Sequence, residues 1–319
     1  MRFISSLSGH FWTIAPALRH RARPATAPVA VPWSVDLADP EVGTVRLRGL
    51  FRDAPGSDAA VVVVHGLGGT TATHYCSSAA RAADAIGVAC LRLALRGADR
   101  EGDDFYHAGL IADVHAALAS PELARFSRLY VLGYSLGGHV SLRYALDGAG
   151  AREPRVRAVA AVCAPLDLEL AARHIDSPGA SLYRHHVLTG LKEMYAAVAR
   201  RRPVPTPLSR VRSVRSIREW DELTVVPRFG FASAESYYSQ MSVGPELHRL
   251  GVPALLIEYL DDPMVPPWTY SAHLGKTRPF LEARSLPRGG HVGYPAGTHL
   301  GEQGPAGVES QVLTWLLRQ

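Results

Sequence analysis

Gly133-Tyr134-Ser135-Leu136-Gly137-Gly138 is the stretch on which the fold turns. It closes an apolar, strand-like run, Leu129–Tyr134, and leads into a helix-like segment, Leu136–Leu146. A G-x-S-x-G sequence between a strand and a helix has a steric cause. A nucleophile on a sharp strand-to-helix turn sits in strained backbone, and small residues two before and two after it keep the chain from colliding with itself. The turn lifts the Ser135 hydroxyl above the sheet, at the positive end of the following helix, which favours developing negative charge. With 29 glycines in the chain the motif alone is cheap, and a plain turn serine would satisfy it. Its flanking elements make it specific.

The same alternation runs outward in both directions. Short β-rich runs at Thr44–Phe51, Ala60–His65, Val88–Leu93, Ala158–Cys163, Ala254–Tyr259 and Leu281–Leu286 read as further strands. Helical patterns fall at His74–Ile86, Ala108–Ala119 and Val308–Leu317. Several strands are apolar almost throughout, as expected where helices cover both faces of a parallel sheet. The reading is an α/β fold with a mostly parallel central sheet flanked by helices. The rhythm breaks after Pro165 and returns at Val252, with helix-like sequence and a Pro/Arg-rich stretch, Pro203–Arg218, read as an exposed loop, in between. This predicts an N-terminal arm over residues 1–35 packed on the domain, a core over 36–165 and 251–319, and a helical cap insertion over 166–250.

A serine hydroxyl is a weak nucleophile near neutral pH and needs a base, which in turn needs a group to fix its tautomer. On a sheet of this kind the acid follows a late strand and the histidine precedes the last helix. After Ala254–Tyr259 come Asp261 and Asp262, of which Asp262, beside Pro263, is preferred; Asp167 is a weaker third candidate. After Leu281–Leu286 comes Gly289-Gly290-His291, which singles His291 out of 14 histidines as the base. Backbone N–H donors for an oxyanion should come from Leu136, directly after the nucleophile, and from Leu67 in the loop His65-Gly66-Leu67-Gly68-Gly69. His65 itself is read as a loop-bonding residue. Tyr134 either lines a substrate pocket or packs the elbow.

Composition removes other classes. Of 319 residues, 47% are hydrophobic and 20% charged, enough for a large core and too apolar for disorder. The net charge of +5 is concentrated in the seven arginines of Arg200–Arg218, so no nucleic-acid partner is expected. Cys76, Cys90 and Cys163 cannot all pair and lack metal-ligand spacing. A polar cluster of Asp99, Asp103, Asp104 and His107 has no second ligand at helical spacing, so neither a metal nor a cofactor is expected. No apolar run is long enough to span a bilayer, and Met1–Leu18 is too interrupted for a signal peptide. A cytoplasmic location follows as the expectation, with peripheral membrane contact through the arginine stretch as a secondary one.

Seven segments together resemble the YheT-like branch of the α/β-hydrolases: Ser8–Ala17, His65–Tyr75, Arg96–Gly109, Gly133–Gly138, Gly230–Met241, Asp261–Pro266 and Gly289–Tyr294. The resemblance implies a triad of Ser135, Asp262 and His291 and hydrolysis of short or lipid-like carboxylic esters. Ala98-Asp99 stands where relatives tend to carry a glycine, and the arginine stretch has no counterpart. The expected activity is that of a serine esterase acting through an acyl-enzyme. The alternatives are an acyltransferase using the same triad and a catalytically silent ligand-binding protein.

Overall fold

The computed structural model describes residues 7–24, 26–147, 153–275 and 279–319. Eight strands form one sheet: β1 (Val31–Asp39), β2 (Gly43–Arg52), β3 (Ala59–Val64), β4 (Ala89–Ala94), β5 (Arg128–Tyr134), β6 (Val156–Val162), β7 (Ala254–Tyr259) and β8 (Leu281–Leu286). Their order across the sheet is β1-β2-β4-β3-β5-β6-β7-β8. β1 and β2 pair antiparallel, β2 meets β4 antiparallel, and every later pairing is parallel. β3 is buried along its whole length, with Val62 and Val64 packed into one layer and Val61 and Val63 into the other. That two-sided burial is what the continuous valine run demands.

On one face lie α2 (His74–Ala85) and the terminal helix, which packs Val308, Val312 and Trp315 under the sheet. The other face carries α3 (Ala112–Leu118) and α4 (Leu136–Leu146). α3 is shorter than the helix expected over Ala108–Ala119, and β1 is a strand that the sequence reading does not anticipate. Because β1 starts at Val31, the arm's last residues belong to the sheet; its first six lie outside the described residues. The described part of the arm opens with α1 (Leu7–Ala22).

Between β6 and β7 the chain is helical: α5 (Leu168–Ile175), α6 (Ser181–Ala199), α7 (Leu208–Ser213), α8 (Ile217–Leu223), α9 (Val225–Phe229) and α10 (Ala234–Met241). The Pro/Arg-rich stretch therefore contains α7 and is not simply a loop. Asp167, Ser216 and Ser233 cap α5, α8 and α10 through their side chains, and Gly230 ends α9 in the left-handed region at φ 71°. This layer is moored by charge. Arg228 in α9 pairs with Asp104 at 2.8 Å, Glu41 at 2.8 Å and Asp39 at 3.2 Å. The wholly buried Arg96 pairs with Asp39, Asp104 and Asp113 at 2.8, 3.1 and 2.8 Å. The β1–β2 hairpin, the loop after β4 and the helical layer thus share one buried ionic knot.

Candidate active site

The parallel strands β3, β5, β6, β7 and β8 all end on one side, so the loops that follow them meet above the sheet. Ser135 occupies the turn from β5 into α4 with φ 53° and ψ −122°, a conformation that L-residues rarely adopt. Its N–H donates to the Val162 carbonyl at 2.8 Å, which ties the turn to the neighbouring strand. The glycines are required by contact. A Cβ on Gly133 would strike the Gly137 carbonyl, and one on Gly137 would strike the carbonyls of Val64 and His65.

Ser135 Oγ lies 2.8 Å from His291 Nε2, and His291 Nδ1 lies 2.9 Å from Asp262 Oδ2. The other Asp262 oxygen accepts the N–H groups of Met264 (2.8 Å) and Val265 (3.0 Å). Burial pushes the Asp262 carboxyl up, but the His291 imidazole and those two donors outweigh it and hold it below the ordinary carboxylate range. An ionised acid there fixes the imidazole with its proton on Nδ1, leaving Nε2 to accept from the serine. Asp261 instead turns its backbone carbonyl against Gly9, and Asp167 is the N-cap of α5.

In the loop after β3, three N–H groups are already engaged. Gly66 donates to Tyr75 Oη (3.1 Å), Gly68 to Tyr106 Oη (2.8 Å) and Gly69 to the Gly66 carbonyl (3.0 Å). Among the described residues, neither the Leu67 nor the Leu136 N–H has a hydrogen-bond partner. The Leu67 and Leu136 N–H groups, expected from the sequence as oxyanion donors, are thus uncommitted in the structure. His65 accepts the Leu95 N–H through Nε2 (3.2 Å) and bonds the Gly66 carbonyl through Nδ1 (2.8 Å), while burial pushes it down to about 4. It bonds the loop and is not a base.

Several contributors go unseen in the sequence reading. Thr13 of α1 accepts the His291 N–H at 2.8 Å and donates its own hydroxyl proton to the Gly9 carbonyl at 2.7 Å. Pro16 has no N–H to offer the Trp12 carbonyl, and that carbonyl lies against Gly293. α1 therefore rests on the histidine loop through Thr13 and Trp12, and on the acid loop through Gly9. The signal was present in the quoted Ser8–Ala17 segment, but no residue in it carries chemistry that spacing could assign.

Other candidates resolve differently. Tyr134 is wholly buried with its ring 4.7 Å from that of Tyr75, so it packs beneath the elbow and the pocket reading gives way. Asp104 is held by Arg96 and Arg228, Asp99 by Arg48 at 3.1 Å and Asp103 by Arg202 at 3.5 Å. His107 packs against Phe229, Phe231 and Tyr237. The polar cluster is consumed by ion pairs and packing. Within Arg200–Arg218, Arg202 bonds the Thr44 carbonyl and Arg218 pairs with Glu169. Cys163, Asp262 and His291 bring ligand atoms within 4.8 Å of one another. Burial keeps the Cys163 thiol protonated, and the other two groups are bonded to each other, so the set is a poor metal site. No helix among the described residues is long and apolar enough to cross a membrane.

The α/β hydrolase fold family matches residues 59–297. YheT of Escherichia coli is 32% identical over 267 residues, which cover 80% of this chain and 76% of that protein. A monoacylglycerol lipase of Saccharomyces cerevisiae is 24% identical over 52% of this chain and 38% of its own length. Among solved structures, the esterase Pf2001 of Pyrococcus furiosus superposes with a TM-score of 0.52 at 17% identity, covering 84% of this chain and 90% of that one.

Proposed function

Since this chain belongs to the α/β hydrolase fold family, and within it to the YheT-like branch, we propose that it is a carboxylic-ester hydrolase working through an acyl-enzyme on Ser135. The observation that carries the reading is the continuous hydrogen-bonded line from Ser135 through His291 to the buried Asp262. As Ser135 Oγ attacks the ester carbonyl, its proton passes to His291 Nε2, and the imidazolium so formed is stabilised by the Asp262 carboxylate. The carbonyl oxygen takes up the electron pair and is received by the Leu67 and Leu136 N–H groups. Collapse of the tetrahedral adduct expels the alcohol, which takes the proton back from Nε2. A water molecule deprotonated by the same nitrogen then attacks the acyl-serine, and the acid leaves. The yeast monoacylglycerol lipase among its relatives supports an ester as the substrate class.

The test pairs covalent labelling with turnover. A fluorophosphonate probe is expected to label wild-type protein on Ser135 and to leave Ser135→Ala unlabelled. Hydrolysis of p-nitrophenyl esters is expected to fall on the order of 10³-fold or more in that variant. Wild-type turnover in Ser135→Ala, or folded wild-type protein refractory to the probe, overturns the mechanism. Transfer of the acyl group to added ethanol in preference to water would move the assignment to an acyltransferase.

A further inference from the structure

α1 leaves three large apolar side chains, Leu7, Phe11 and Leu18, exposed on its outer side, while Ile14 between them packs on the core. Gly9, Thr13, Pro16 and His20 follow helical spacing along one side, and that side makes the contacts: Gly9 on Asp261, Thr13 on His291, Pro16 on Gly293 and His20 Nε2 on the Ala72 carbonyl at 3.0 Å. His10 adds a bond to Tyr183 Oη in α6 at 2.6 Å. The seam is built from small and polar residues. Leu7, Phe11 and Leu18 fall within about 40° of one another around the helix at 3.6 residues per turn, on the side away from these contacts. They are 90%, 57% and 59% exposed. Large apolar side chains lined up on the outer face of an already seated helix add nothing to the fold and mark a contact surface.

The charge around the stripe says what it contacts. No acidic residue occurs between Leu7 and Val35, while Arg19, Arg21 and Arg23 stand exposed at the far end of the helix, Arg19 and Arg21 flanking the stripe. An apolar stripe edged by arginines suits the boundary of an anionic lipid layer, where the stripe enters the acyl region and the guanidinium groups meet the phosphates. The helix also bears directly on the loops of His291 and Asp262, so a surface gripped by α1 lies beside the nucleophile. We propose that α1 is an interfacial anchor that seats the protein on anionic lipid and presents Ser135 to esters held there. The substrate half rests on the esterase reading; the binding half stands without it.

The experiment measures co-sedimentation with phosphatidylglycerol-containing vesicles and with pure phosphatidylcholine vesicles. It uses Ser135→Ala protein, so that binding is read without turnover, with and without the combined substitutions Leu7→Ser, Phe11→Ser and Leu18→Ser. The unsubstituted stripe is expected to bind the anionic vesicles, more weakly as salt rises. The triple substitution should lower the bound fraction on the order of ten-fold or more. With Ser135 intact, the same triple variant should hydrolyse soluble p-nitrophenyl acetate at the unsubstituted rate, since none of the three touches the triad. Equal binding by both proteins, or none by either, overturns the proposal. So does a dimer that the triple substitution dissolves in size-exclusion chromatography with light scattering, because the stripe would then belong to a second copy. Vesicle binding by a protein that cleaves no ester would sink the esterase reading and leave the anchor standing.

Discussion

Asp262→Asn isolates one proton. Asp262 divides its oxygens between two tasks: one accepts the Met264 and Val265 N–H groups at 2.8 and 3.0 Å, the other faces His291 Nδ1 at 2.9 Å. An asparagine must offer its carbonyl oxygen to the two backbone donors, because turning its NH₂ toward them would set donor against donor. The NH₂ group is then directed at Nδ1, and the imidazole accepts there by carrying its proton on Nε2. That nitrogen now points an N–H at Ser135 and cannot take the serine proton. The loss expected from a wrong tautomer with intact geometry is on the order of 10³- to 10⁴-fold in kcat, about 4–5 kcal/mol of transition-state stabilisation. The fold should hold, since the backbone bonds survive and a buried charge is removed. The assay is steady-state hydrolysis of a p-nitrophenyl ester, with circular dichroism to verify folding and Asp261→Asn as the matched control. An Asp262→Asn protein keeping more than about a tenth of wild-type kcat/KM, with the Asp261→Asn protein losing it, refutes the assignment of the acid.

Three further outcomes follow from the same contacts. Thr13→Val leaves the His291 N–H without its acceptor at a cost of about 1–3 kcal/mol, expected as a Tm lower by a few degrees and a reduced kcat. Wild-type Tm and activity in that variant would show that α1 does not hold the histidine loop. Gly137→Ala forces a methyl group onto two strand carbonyls and should yield little folded protein on expression, whereas Gly179→Ala, with open space around it, should express normally. Burial pushes His65 and His139 down to about 4 and His107 down to about 3. The unfolded chain therefore binds protons that the native protein refuses. Stability is complete above about pH 6.5 and falls as pH drops toward 4, by up to about 1.4 kcal/mol per pH unit for each histidine, read as Tm across that window. A Tm flat between about pH 7 and 5 would contradict their neutral burial.

The sheet was legible where both of its faces are covered. The runs Ala60–His65 and Ala254–Tyr259 announce themselves because every residue is apolar or nearly so, and burial on two sides requires that. β1 was not, because it is an edge strand with alternating exposure and a proline at Pro32, which carries neither a continuous apolar run nor a free N–H for a central ladder. Ser135, Asp262 and His291 stand out because turn chemistry marks them: glycines around the first and third, a proline after the second. Tyr75, Tyr106 and Thr13 carry no such mark. Their hydroxyls act on groups 9, 38 and 278 positions away, and only the folded path brings them there. The same holds for Arg96 and Asp104: a polar cluster in the sequence becomes an ionic knot only when Arg228 arrives from the helical layer.

The bond between Thr13 and His291 also orders events during synthesis. α1 leaves the ribosome well before the loop it seats against, which is made 278 residues later. Until then its small-residue side has only its contacts with earlier chain, such as that of His20 with the Ala72 carbonyl, and its leucines and phenylalanine are unshielded, a condition that invites chaperones or premature membrane contact. Folding that depends on so distant a pairing is slow to close, and Ser135 meets His291 only at that closure. The contact between Ser135 and His291 is therefore a late event, absent from every nascent fragment that stops short of the histidine.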